Sequence, residues 1–287
     1  MMPLQINMGI RSEERIERVM EVNRELVSTN TSLDKAFKIL EYLAKRGTPQ
    51  SVPQISRTLK LNKTTTYSLL RTMEVHNYIV KHLDGKYSLT SKMYELGYLY
   101  CSCNPVSHIF ELCVVPTLSK YPACNISLGT FGSYFSGVYL SVQGKNSTYI
   151  SAGSAFPLHA TAVGKILLAF SNEEYMEEFL KNAKLTRFTD KTTSERAGLE
   201  RQLVRIREQG YCYLEGGLYS DFYCIAVPVF GADKKIAASV SARSSQEFVE
   251  SNFDKLREDM LDLGRRISYS LGYPADATYP ISGWEYK

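Results

Sequence analysis

Apolar residues recur at intervals of three and four through TSLDKAFKILEYLAKRG, residues 31–47, at Leu33, Ala36, Phe37, Leu40, Leu43 and Ala44. That spacing predicts an amphipathic helix. Thr31 or Ser32 would cap its start, Asp34 suits its first turn, and Gly47 ends it after Lys45 and Arg46. In SVPQISRTLK, Val52, Ile55 and Leu59 predict a second, shorter helix capped by Ser51, with Pro53 in the first turn where a missing N–H costs nothing. The stretch LNKTTTYSLL then offers Asn62 as the cap of a third, with Thr66, Leu69, Leu70 and Met73 as its inward stripe. Threonine is a weak helix former, so three in succession point to a demand other than helix stability. Next, YIVKHLDGKYSLT predicts two strands about Asp84-Gly85, a dipeptide suited to a two-residue hairpin turn. SKMYELGYLYCSC returns to helical spacing, with Met93, Leu96, Leu99 and Cys103 on one side, until Asn104-Pro105 interrupts it. That apolar stripe packs either within the chain or against a second subunit.

Beyond the interruption, VSHIFELCVVPTLSKY reads as a helix, and CNISLGTF, YFSGVYLSV and STYISAG read as short strands separated by glycines. LHATAVGKILLAF and SNEEYMEEFLKNA predict helices, the latter opened by a Ser171 to Glu174 capping box, and another runs from about Glu195 to Gln209. Strands return in YCYLEGG, FYCIAVPVF and IAASVSAR before a last helix, NFDKLREDMLDLGRRISYSL, with Ser251 as its cap. Strands, central helices, strands and a final helix imply an α+β domain around a mostly antiparallel sheet. The chain therefore divides into a helical extension (1–30), a small helical domain with a hairpin (31–90), a linker helix (91–104), the α+β domain (105–272) and a tail (273–287).

Charge sharpens this division. The whole chain of 287 residues carries +4, but residues 31–100 hold eleven Lys and Arg against five Asp and Glu, a net of +6 that leaves the remainder slightly acidic. A small basic domain with two short helices and a tight turn describes a helix-turn-helix, and the basic hairpin after it a wing. Lys63, Thr64, Thr65, Tyr67, Ser68 and Arg71 lie away from the inward stripe of the third helix, where hydroxyls and cations suit phosphates and base edges. Lys81, His82, Lys86 and Tyr87 are the wing's candidate backbone contacts. A small protein-binding module is the alternative reading of the same helices. The 44% hydrophobic content supports a packed core, no apolar run approaches membrane-spanning length, and the charged N-terminus lacks a signal peptide's apolar stretch, so a cytoplasmic protein is expected. Six cysteines without a C-x-x-C pair read as reduced core thiols, with no metal or cofactor expected.

Taken in order from Ser32 to Gly272, SLDKAFKILEYLAKRG, the three-threonine helix, DGKYSLTSKMYELG, PLHATAVGKILLAF and GYCYLEGGLYSDFYCIAVPVF resemble the IclR family of bacterial transcriptional regulators. The resemblance implies an N-terminal winged helix, a dimerising linker helix and a C-terminal GAF-like domain that binds a small effector, often an organic acid or a sugar-acid catabolite. It also implies a homodimer or dimer of dimers on a double-stranded, (pseudo)palindromic DNA operator in the bacterial cytosol, associated with the nucleoid and more often repressing. The implied effector pocket lies beneath LHATA, at Ala160, Thr161, Ala162 and Val163, against Cys224, Ser239 and Ser241 on facing strands, with Glu215 nearby. Phe156, Tyr219 and Tyr223 offer an aromatic lining. The chain departs from the family pattern at Ser68, where an arginine is usual, at Asn77 in place of a glycine, and in EGGLYSDFYC, which lacks the usual acidic pair. Two rival readings are a cysteine-dependent enzyme using Cys224 and His159, and a DNA-binding dimer whose second domain is only a scaffold.

Overall fold

The structure is a computed structural model that describes residues 30–102, 104–132, 135–144 and 151–280, and these form two compact units divided at residue 103. The expectations for the N-terminal extension, Cys103 and the last seven residues lie outside the described residues.

The first unit opens with α1 (Thr31–Arg46), α2 (Val52–Leu59) and α3 (Lys63–Val75). Their core is Ile39, Tyr42, Leu43, Ile55, Leu70 and Met73, closed by Ile79 and Tyr87 from the hairpin. The buried stripe of α1 is rotated from the one expected: Leu33 and Phe37 remain half exposed, Ala44 is exposed, and Asn30 rather than Thr31 or Ser32 caps the helix. The apolar arc of α1 is broad enough for either register, and the volume offered by α2 and α3 selects Ile39 and Tyr42. The α2 cap follows expectation, Ser51 and Gln54 forming a capping box.

Lys60 turns the chain between α2 and α3 with a φ of 53°, and Asn62 accepts the Thr64 N–H at 2.9 Å. Thr66 is fully buried; its hydroxyl donates to the Asn62 carbonyl at 2.9 Å and accepts from Ser56 at 3.1 Å. The three threonines thus divide in role: Thr66 locks the turn, while Thr64 is exposed and Thr65 half-buried. Asn77 has a φ of 60°, the left-handed conformation a glycine would otherwise supply.

Strands β1 (Ile79–Lys81) and β2 (Tyr87–Leu89) pair antiparallel, and the Tyr87 main chain exchanges two 2.8 Å bonds with Gln50. The turn is longer than the two residues expected. His82 bonds Lys86 across Leu83, Asp84 and Gly85, with Gly85 at a φ of 76°, because this three-residue form needs only one left-handed position. Helix α4 (Lys92–Ser102) ends the unit with Met93, Tyr94, Leu96, Tyr98, Leu99 and Tyr100 exposed.

In the second unit a six-stranded antiparallel sheet runs β5-β4-β3-β8-β7-β6, built from β3 (Asn125–Phe131), β4 (Ser136–Gln143), β5 (Ala155–Pro157), β6 (Cys212–Glu215), β7 (Tyr223–Phe230) and β8 (Ile236–Ser244). Side chains alternate between its faces. Ile126, Leu128, Tyr223, Ile225, Val227, Val229, Ala238, Val240 and Ala242 pack with α5 (Pro105–Lys120), α9 (Gln246–Ser251) and α10 (Phe253–Ser270). Against the other face lie α6 (Ala162–Ala169), α7 (Glu173–Asn182) and α8 (Arg196–Gln209), which bury Leu167, Phe170, Phe179, Leu203 and Phe230. Helices α7 and α10 each start a residue later than expected, and α9 is a helix that was not expected. Asn172, not Ser171, caps α7, because the Ser171 hydroxyl closes α6 on the Leu168 carbonyl at 2.9 Å. Ser245 caps α9, and Ser251 ends it instead of opening α10. Where STYISAG suggested a strand, most of the segment lies outside the described residues, and β5 follows it.

Helix α6 is the most enclosed element, all eight of its residues being buried. Its Lys165 ammonium ties it to α8 through Gln202 Oε1 at 2.7 Å and to Thr193 at 3.3 Å, and burial lowers the lysine pKa. At Gly164 an added Cβ would stand 2.3 Å from the Leu158 carbonyl oxygen and 2.4 Å from its Cα. Gly164→Ala is therefore expected to destabilise the second unit by roughly 2–3 kcal/mol, the upper part of the overpacking range, because backbone must move. Chemical denaturation of wild type and variant checks this, and an unchanged midpoint would show that the contact is not tight.

Candidate functional site

The first unit presents one continuous polar surface. Lys63, Thr64, Tyr67, Ser68 and Arg71 follow one another along the side of α3 opposite Thr66, Leu70 and Met73, all five exposed, with Thr65 at the edge. On the wing, Lys81 and His82 are exposed, and His82 Nε2 lies 2.8 Å from Ser88 Oγ. Lys86 makes a 2.7 Å ion pair with Asp84 across the turn, and these partners lower the Asp84 pKa. Tyr87 departs from expectation: it is 2% exposed, and burial raises its hydroxyl pKa. Strand alternation turns it inward while Lys86 and Ser88 face outward, so it belongs to the core.

In the second unit, a tight turn at Leu158–Ala160 hands the chain to α6, whose start Thr161 caps through its side chain and the Gly164 N–H at 3.0 Å. Beneath this start lies a cavity of about 30 Å³, room for little more than one water molecule. Ala160, Thr161, Ala162 and Val163 form its roof; Ser127, Tyr139, Cys224, Ser241 and Arg243 rise from the sheet; Leu214, Gly217, Leu218, Tyr219 and Phe222 close the side. Thr192 holds that closing loop through the Gly217 carbonyl at 2.6 Å.

Six of the nine expected pocket residues line this cavity: Ala160, Thr161, Ala162, Val163, Cys224 and Ser241. The other three do not. Phe156 sits behind Tyr139, centroids 4.4 Å apart, against Gly129 and Gly137 where no side chain intervenes. Ser239 is on the correct face but fully buried, its hydroxyl donating to the Val227 carbonyl at 3.1 Å. Glu215 is exposed and pairs with Lys191 at 3.0 Å. Of the suggested aromatic lining, Tyr219 is present, and Tyr223 packs on the opposite face of the sheet. Arg243 and Ser127 were missed. Arg243 is two residues beyond Ser241, so the alternation that picks out Ser239 and Ser241 also points to it.

Burial pushes the Cys224 thiol up to about 12, which keeps it protonated. His159 is 2% exposed and donates Nε2–H to the Thr186 carbonyl at 2.9 Å, outside the residues that line the cavity, so the thiol and imidazole do not form a nucleophile–base pair.

Two family profiles match in the order the two units occur: the IclR helix-turn-helix domain over residues 32–82 and the bacterial transcriptional regulator IclR C-terminal domain over residues 139–269. The HTH-type transcriptional regulator XynR of Escherichia coli K12 is 30% identical over 249 residues, spanning 85% of this chain and 98% of its own length. The chain belongs to the IclR family. It is accordingly a DNA-binding transcriptional regulator. The crystal structure of the Thermotoga maritima IclR superposes with a TM-score of 0.69 at 25% identity, covering 84% of this chain and 98% of the other. An IclR homologue from Microbacterium hydrocarbonoxydans, complexed with 4-hydroxybenzoate, shares the fold with a TM-score of 0.71 at 21% identity, covering 84% and 99%. Among the described residues no helix is long and apolar enough to cross a membrane.

Burial holds the His159 pKa below its ordinary 6.5. As pH falls through 6.5 the unfolded chain takes up a proton that the native state resists, so stability is lost on acidification. The melting temperature is expected to fall between pH 7.5 and 5.5, and more steeply for wild type than for His159→Gln. Identical pH slopes would mean that His159 is not held neutral.

Proposed function

We propose that the chain is a homodimeric repressor of the bacterial nucleoid, or a dimer of dimers, that reads a two-fold DNA operator through α3 and releases it when a small organic acid occupies the cavity beneath α6. The observation that carries the DNA contact is the division of α3 into a buried apolar face and an exposed face of cations, hydroxyls and a phenol. Lys63, Lys81, His82 and Lys86 act on phosphates, which fixes register and makes binding salt-sensitive. Thr64, Thr65, Tyr67, Ser68 and Arg71 meet base edges. The Asp84 carboxylate beside Lys86 weakens that residue's contribution.

Dimerisation is supported by α4. Leu96 and Leu99 are 40% and 51% exposed, and three tyrosines accompany them, more apolar surface than a solitary helix keeps in water. Of the two roles open to that stripe, a seam with a second subunit is the better supported. The 4-hydroxybenzoate complex of a homologue supports an organic acid as effector.

Lys63→Ala is expected to weaken binding to all DNA sequences and to reduce the slope of log K against log salt by about one. Arg71→Ala and Thr65→Ala are expected to alter which sequences bind best, by about 1–3 kcal/mol at the affected base pair. Fluorescence anisotropy with a sequence-randomised duplex set checks both. Unchanged affinity and preference in all three variants would show that this face does not meet DNA.

A further inference from the structure

Arg243 combines burial with an unsatisfied Nη1. It is 6% exposed, its Nη1 has no hydrogen-bond acceptor, and among the described residues no carboxylate pairs with it. The Phe222 ring lies against it, its centroid 4.2 Å from the guanidinium carbon. A ring against the guanidinium face compensates part of the charge and holds the plane in place, but the N–H groups point from the edges and are left to other partners. A buried cation in this condition is costly and calls for an anion.

The surroundings agree. The cavity that Arg243 lines is roofed by the first residues of α6, where Ala162 and Val163 carry helix-terminal N–H groups and Thr161 already satisfies that of Gly164. Ser127 and Ser241 stand beside Arg243 on the sheet. The remaining walls, Tyr139, Leu214 and Phe222, are carbon-rich. Arg243 is the only cationic residue lining the cavity among the described residues.

We propose that Arg243 is the anchor of the effector, and that the effector is a monocarboxylate whose oxygens accept from the guanidinium edge while its carbon skeleton lies against Phe222 and Tyr139. This rests on the cavity being the effector site. One guanidinium matches one negative charge, and a bidentate pairing suits the planar carboxylate. The apolar walls disfavour a strongly hydrated, multiply charged phosphate. Because the cavity holds little more than a water molecule, a larger acid is accommodated as the half-buried Tyr219 and Phe222 move aside.

The test is thermal denaturation of the full chain with short aliphatic and aromatic monocarboxylates, their amides, inorganic phosphate and neutral sugars, followed by titration of the best acid. At least one acid is expected to raise the melting temperature of wild type, while its amide and phosphate do not. Arg243→Gln is expected to bind that acid on the order of tenfold to a hundredfold more weakly. Without ligand, the same variant should melt no lower than wild type, since it removes a buried charge that no carboxylate among the described residues neutralises. If Arg243→Gln does not fold, Arg243→Lys, which keeps the charge but loses the fork, should bind measurably and more weakly. Equal affinity for the acid in the variants would overturn the assignment. Stabilisation by the amide, phosphate or a sugar as strong as that by the acid would also overturn it, leaving the cavity as an effector site of other chemistry. Stabilisation by no compound would remove both the anchor and the effector site.

Discussion

Antiparallel pairing of β7 with β8, which sets Cys224 opposite Arg243 and Ala226 opposite Ser241, is the constraint on which the second unit depends. With a side-chain period of two, that register sends Tyr223, Ile225 and Val227 of one strand and Val240 and Ala242 of the other into the core beneath α10, and sends Cys224, Ser241 and Arg243 toward α6. A slip of one residue would exchange these sets, burying a guanidinium in an apolar core and exposing valines beneath the roof of the cavity. The cost of that exchange specifies the register, and the register creates the site. Helix α6 then completes it, because Gly164 allows the helix to seat directly on the Leu158 turn and so aims its first N–H groups at the sheet.

The first unit rests on a smaller device of the same kind. A left-handed Lys60 and the hydrogen-bonded chain Ser56, Thr66 and Asn62 fix the angle between α2 and α3. Once that angle is set, Leu70 and Met73 face the core, and everything between them on α3 faces outward. Gln50 extends the wing by pairing with Tyr87, which anchors the hairpin from its inner side and leaves Lys81 and His82 outside.

Much of this was legible in the sequence because the relevant signals are local. The α2 cap, the α3 stripe and the Asn77 turn depend on residues within one or two helical turns, and all three have the expected form. Errors arose where a distant neighbour decided the outcome. The apolar arc of α1 admitted two stripes, and contact with α2 and α3 chose between them. Tyr87 reads as a wing residue until Gln50 and the helices claim it. Ser239 shares a face with Ser241, yet only Ser241 lines the cavity while Ser239 is fully buried, a difference of packing that alternation cannot express. Arg243, the last residue of IAASVSAR, follows from the same alternation, but its burial depends on Phe222 and the neighbouring strands and is not a local signal.

The central claim is that a basic winged helix reads a particular DNA sequence. Fluorescence anisotropy of the full chain with DNA from upstream of its own gene and with a scrambled duplex of equal composition, across a salt series, tests it most directly. The account requires a clear preference for the native DNA, with affinity falling steeply as salt rises. Equal affinity for both duplexes at every salt concentration would contradict it.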